Sequence, residues 1–103
     1  MHTVWMREHN RIAIALSQLH PEWSDEALFQ ESRRIVNAEM QHINYNEFLP
    51  IILGREYMDK FGLTPSDQGL VNKYDQDINP AVTNVFATAA YRFGHSLVSS
   101  QLQ

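Results

Sequence analysis

The sequence contains no cysteine. That absence removes disulfides, zinc–thiolate sites, iron–sulfur clusters and thiol nucleophiles together, without locating the chain in any redox compartment. Glycine and proline number four each. They are too few and too scattered for a collagen-like or low-complexity chain, or for a phosphate-cradling loop. Basic residues are in the minority, with 8 Lys and Arg against 12 Asp and Glu, for a formal net charge of −4. This balance leaves no electrostatic footprint for nucleic acid or anionic lipid. Long apolar runs are missing too. Ile12–Leu16 and Leu49–Leu53 are far too short to span a bilayer. The first residues show no basic region followed by an apolar core, so they do not read as a signal peptide. No asparagine begins an N-x-Ser/Thr sequon, so there is no local sign of secretion.

What is present is 103 residues of which 44% are apolar and 19% charged. Such a chain holds at most one domain and excludes broad disorder. Standing alone, it could bury roughly two thirds of its unfolded surface.

Apolar spacing predicts four helical segments and no strand, an all-α chain. The first runs from about Thr3 to Leu19 and places Trp5, Ile12, Leu16 and Leu19 on one face. Ile14 falls among Arg7, Asn10, Arg11 and Gln18 on the opposite face, which predicts contacts on more than one side. Pro21 ends this helix. The second starts at Ser24, a good N-cap, with Asp25 and Glu26 in the first turn where the helix dipole favours negative charge. It continues to about Ile43, with Leu28, Phe29, Ile35, Val36, Met40 and Ile43 as its apolar arc. A short third segment, Tyr45–Leu53, contains Pro50 and stops at Gly54, after which residues 55–61 add one or two turns. An irregular loop covers Leu63–Asn79, and loops of this length are often functional. The last helix is predicted from the cap Asn79-Pro80 to about Leu102, with Val82, Val85, Phe86, Ala89, Ala90, Phe93 and Leu97 as a core stripe. His95 projects from the other side, near Tyr91, Arg92 and Leu102.

Three constellations could carry chemistry. Glu39 and His42 form a Glu-x-x-His pair, half of the chelating set of a carboxylate-bridged di-iron bundle. No second copy exists, and the plain alternative is an ion pair on a helix surface. His95 could ligate haem iron through one ring nitrogen, with Tyr91 and Leu102 as slot walls and Arg92 as a cation for the propionates. The plain alternative is an exposed structural histidine. Ser96, Ser99 and Ser100 follow His95 but sit in no Gly-x-Ser-x-Gly turn, so a hydrolase is discarded.

Three longer stretches are more specific. Arg7-Glu8-His9-Asn10-Arg11-Ile12-Ala13 resembles a signature of the animal haem peroxidase family, which includes myeloperoxidase-like, peroxidasin-like and peroxinectin-like enzymes. Tyr45-Asn46-Glu47-Phe48-Leu49-Pro50-Ile51-Ile52-Leu53-Gly54 resembles that family's Tyr-x-x-aromatic-Leu-Pro-x-x-Leu-Gly segment. The run from Asn84 through Arg92-Phe93-Gly94-His95 to Leu97 resembles the helix that carries the proximal haem ligand. The resemblance covers essentially the whole chain, in the family's order.

The resemblance implies a haem peroxidase that reduces hydrogen peroxide and oxidises a small donor. It implies His95 as the axial ligand to haem iron and Arg92 as a residue of the haem environment. It implies no catalytic acid or base within these 103 residues. The family's distal histidine, distal arginine and calcium-binding loop fall upstream, and the asparagine that holds the proximal histidine falls downstream. His2, His9, His20 and His42 match none of those roles. Residues 1–103 are thus expected to be a partial peroxidase domain, incomplete at both ends, on the proximal side of haem. Its partners would be haem, peroxide, a donor and the remainder of the parent domain, with no nucleic acid and no membrane span. Calcium would belong to the parent alone, and the family implies secretion. A truncated, non-enzymatic peroxidase-like interaction protein is the rival reading.

Overall fold

The computed structural model describes residues 1–66, 69 and 74–100. They are helical, with no strand among the described residues, as the all-α pattern requires. The chain divides into two compact units, Met1–Val71 and Asn72–Gln103.

In the first unit, α1 spans His2–Leu19 and α2 spans Asp25–Ile43. The two pack against each other through a five-residue corner. Pro21 disfavours helical geometry at His20, whose φ of −131° and ψ of 69° leave the helix. Ser24 then opens α2 as expected. Its Oγ accepts from the Ala27 N–H at 3.2 Å, and Asp25 and Glu26 occupy the first turn. The described core is small: Ile12 from α1, Ser32 and Val36 from α2, and Met58. Ser32 is fully buried although it lies outside the predicted apolar arc. Its hydroxyl donates to the Leu28 carbonyl at 2.6 Å, so burial leaves no orphan polar group. Of the predicted arc, Phe29, Met40 and Ile43 remain exposed.

The predicted third segment is not separate from α2. The chain passes directly from Ile43 into a widened turn of π-helix, Asn44–Phe48, and then into α3, Leu49–Lys60. Proline explains the widening. Pro50 has no N–H and its ring collides with the carbonyl four residues back, so the backbone opens and the Leu49 N–H reaches Asn44 O instead. Gly54 breaks the path of α3 with φ 76° and ψ 157°, where the sequence placed a stop. The following turns end at Gly62, φ 62°, in a Schellman closure. There Leu63 N–H donates to Met58 O at 2.7 Å and Gly62 N–H to Asp59 O at 3.0 Å.

The second unit differs from expectation. No helix runs from Asn79 to Ser100. Asn79 Oδ1 accepts from the Ala81 N–H at 2.9 Å, so the residue closes a local turn rather than capping a helix. The helix α4 begins later, at Asn84–Thr88, capped by Thr83. Ala89 interrupts it with φ −132° and ψ −64°, and Ala90–Leu97 follow as a 3₁₀-helix. The predicted core stripe is uncovered: Val85 is 73% exposed and Leu97 68%. A lone helix with no surface to bury its stripe against lacks the packing that supplies most helical stability. The predicted helix end at Leu102 lies outside the described residues.

The chain exposes 9425 Å².

Candidate functional site

His95 and Arg92 both lie on the 3₁₀-helix Ala90–Leu97. Residues three apart eclipse each other in such a helix, so the imidazole and the guanidinium share one edge. Arg92 is held in two ways. Its Nε donates to Ala87 O at 3.2 Å, and its guanidinium carbon lies 5.2 Å from the Tyr91 ring centroid. Tyr91 in turn stacks on Phe86, centroids 5.9 Å apart. The guanidinium therefore sits on a small aromatic ledge, and its terminal nitrogens make no hydrogen bond among the described residues. His95 is exposed, and its ring makes no hydrogen bond or ion pair among the described residues.

The donor chemistry here fits a haem group. An axial ligand needs an imidazole nitrogen not already committed, and propionates need a cation without a competing carboxylate. From Asn84 to Ser100 there is no Asp or Glu, and Arg92 is the sole Lys or Arg. One histidine suffices for such a group. That no cluster of three or more metal-ligating residues occurs among the described residues therefore leaves this reading intact. Leu102, named as a slot wall, lies outside the described residues.

The rival constellations fare differently. Asn46, on the π-helical turn, donates its side-chain amide to His42 O at 2.9 Å and meets His42 Nδ1 at 3.3 Å. Glu39 and His42 make no hydrogen bond or ion pair with each other among the described residues, and no group of three or more metal-ligating residues gathers there. Asn46 is a partner that the sequence reading missed. Its i, i+4 spacing from His42 was the available signal. Ser96 Oγ donates to Phe93 O at 2.8 Å, which ties down the hydroxyl nearest His95.

A cavity of about 720 Å³ lies elsewhere, between α1 and α2, with Trp5, Arg11 and His42 in its wall. Arg11 there pairs with Glu8, Nε to Oε2 at 2.8 Å. The hydrogen bond from Arg11 holds the Glu8 carboxyl below its usual value. Glu31 is lowered in the same way by Arg34 on α2.

Comparison with known proteins decides the lineage. The family model described as animal haem peroxidase matches residues 1–103. The chain belongs to the animal haem peroxidase family. It is 60% identical over 97 residues to chorion peroxidase of Drosophila melanogaster, covering 94% of this chain and 12% of that protein. Identity to chorion peroxidase of Aedes aegypti is 49% over 98 residues, 95% of this chain and 12% of that one. To the human peroxidasin homolog it is 48% over 102 residues, 99% of this chain and 6% of the relative. The chain thus spans about an eighth or less of the relatives it matches. Membership makes this a haem-peroxidase sequence at the family level. No described helix is long and apolar enough to cross a membrane.

Proposed function

We propose that this chain is the proximal-side section of a peroxidase domain, with His95 as the axial ligand to haem iron. The observation that supports it is the uncommitted, exposed imidazole of His95 in a family-matched segment free of carboxylates. Haem, when bound, supplies the redox chemistry by which hydrogen peroxide is reduced to water and a donor is oxidised. The chain's own residues do simpler work. His95 offers one ring nitrogen to the iron. Arg92, propped by Ala87 O and Tyr91, offers its terminal N–H groups to the propionates. No residue of this chain takes the part of the distal acid or base, so proton transfer to and from peroxide falls to the rest of a parent domain. Calcium belongs to that remainder as well. The secreted location is proposed from the family alone.

The test is a haem titration of the 103-residue chain. Ferric haem is expected to give a shifted Soret band with the wild-type chain and not with His95→Ala, while Arg92→Gln weakens binding several-fold. Turnover of a peroxidase dye by the loaded chain is expected to match free haem. A Soret shift that survives His95→Ala would overturn the ligand assignment. Turnover well above free haem would overturn the division of labour.

A further inference from the structure

The first unit holds a smaller hollow, of about 240 Å³, that plays no part in the haem reading. Tyr45 and Asn46 line it from the π-helical turn, Arg55 from just past the break at Gly54, and Thr64 from beyond the Gly62 closure. The buried Met58 and two prolines, Pro50 and Pro65, supply its apolar wall. On an unbroken α-helix, residues ten apart stand about 15 Å apart along the axis. Tyr45 and Arg55 share one small hollow because the chain turns at Gly54, with φ 76° and ψ 157°. The charge here is one-sided. Arg55 is the single charged residue of the lining, which contains no Asp or Glu. The Arg55 guanidinium and the Tyr45 hydroxyl make no hydrogen bond or ion pair among the described residues. Arg11, Arg33, Arg34 and Arg92 each donate to a protein group. Arg7 does not, but the groove it lines also contains Glu8 and Glu39. Thr64 donates its hydroxyl to Asp59, and Asn46 its amide to His42 O. Those two side chains are engaged, and Arg55 and Tyr45 are the donors left facing the hollow.

We propose that this hollow binds a tetrahedral oxyanion, a phosphate or sulfate group, through the Arg55 guanidinium and the Tyr45 hydroxyl. Charge, donor geometry and size carry the assignment. A guanidinium without a competing carboxylate in its hollow attracts an anion, and the apolar wall of Met58 and the prolines strengthens that attraction by keeping water from one side. The guanidinium presents a planar fork that holds two oxygens of an oxyanion at once, through charge-assisted hydrogen bonds. A planar carboxylate spends both its oxygens in that fork. A tetrahedral group has further oxygens out of the plane, and one of these accepts from the Tyr45 hydroxyl. The volume fits the same class. At about 240 Å³ the hollow is smaller than the roughly 300–1,000 Å³ of sites for drug-sized molecules. It takes a small ion, or one terminal group of a larger molecule. The hollow belongs to Met1–Val71, whereas His95 and Arg92 belong to Asn72–Gln103, so the inference does not rest on the haem reading.

The experiment titrates the isotope-labelled 103-residue chain with inorganic phosphate, inorganic sulfate or methyl phosphate, at fixed pH and ionic strength, and follows it by NMR. Saturable shifts are expected at the Arg55 side chain and the Tyr45 ring, while acetate and chloride give none that saturate. Tighter binding of methyl phosphate identifies a group carried on a larger molecule, and tighter binding of the inorganic ions a free anion; either result sustains the site. Arg55→Gln is expected to weaken binding about tenfold, the loss of a charge-assisted pair. Arg55→Lys keeps the charge but not the fork, and it and Tyr45→Phe are each expected to weaken binding several-fold. Arg34→Gln, at a side chain 77% exposed and outside the hollow, leaves binding unchanged. Circular dichroism checks that each variant keeps the helices. Should Tyr45→Phe lose them, the order wild type, Arg55→Lys, Arg55→Gln decides. Shifts at Arg55 that chloride reproduces at equal ionic strength would overturn the site. So would phosphate binding that survives Arg55→Gln, or that Arg92→Gln removes instead. None of these readouts depends on haem, so a failed hollow leaves the His95 Soret result standing, and the reverse holds as well.

Discussion

Two units of one chain treat the same kind of signal differently. In Met1–Val71 a helical pattern becomes long α-helices; in Asn72–Gln103 a stripe at least as regular becomes five residues of α-helix and eight of 3₁₀-helix. Propensity does not separate them. Both units contain capped starts, apolar residues at helical spacing and a proline near the beginning of a segment. Burial separates them. Ile12, Ser32, Val36 and Met58 lose their surface in the first unit, and no described residue of the second is buried. Amphipathic spacing states where a helix would place its apolar side chains. It becomes a stable helix when something covers that side.

The largest expected effect follows from that contrast. Met58→Ala, at a residue 2% exposed, is expected to lower unfolding free energy by about 2–5 kcal/mol. Phe93→Ala, at a residue 45% exposed, is expected to change it by about 0.5 kcal/mol or less. Urea unfolding followed by circular dichroism checks both, and equal losses would erase the distinction between the units. Glycine gives a smaller contrast. At Gly54 an added Cβ meets nothing within 4 Å, but φ is +76°. Backbone conformation alone then makes Gly54→Ala cost about 1–2 kcal/mol. Gly94 has equal space and no positive φ, so Gly94→Ala is expected to be neutral or to stabilise by up to about 1 kcal/mol.

The smallest effect is that of pH. Arg11 and Arg34 hold the Glu8 and Glu31 carboxyls below their usual value through hydrogen bonds within α1 and α2. A carboxyl lowered in the folded state contributes stability above its unfolded value. That contribution is lost as pH falls through the folded value, below the ordinary range of a glutamate carboxyl. Helicity of α1 and α2 is expected to decline modestly in that window. Glu8→Gln with Glu31→Gln flattens the decline, and added salt weakens the pairs at neutral pH. From Asn84 to Ser100 there is no carboxylate to titrate, so that segment contributes no such slope.

Much of the first unit was legible one residue at a time. Ser24, Asp25 and Glu26 announce the start of α2, Pro21 the end of α1, and Gly54 and Gly62 the breaks around the last turns of α3. Each acts through its own backbone or through atoms three or four residues away. The burial of Ser32 was not legible, because a hydroxyl beside an apolar arc gives no sign that a neighbouring helix will press on it. Nor was the π-helical turn. Pro50 signals a disturbed helix, but whether the chain stops or widens depends on what holds α2 and α3 in line. The candidate site divides likewise. His95 and Arg92 were legible from the family's motif. Their shared edge, and the support of Arg92 by Tyr91 and Ala87, belong to a 3₁₀-helix that the α-helical spacing did not predict.

Composition, caps and motif order thus determined an all-helical chain, its family and the residues to test, because these depend on local chemistry and on long runs of matched residues. Tertiary structure alone decided which predicted helices persist, which polar side chain is buried, that Asn46 engages His42, and that Arg7 lines an open apolar groove without a hydrogen bond or ion pair among the described residues. Those outcomes depend on which surfaces meet, and a periodic pattern names a face without naming what covers it.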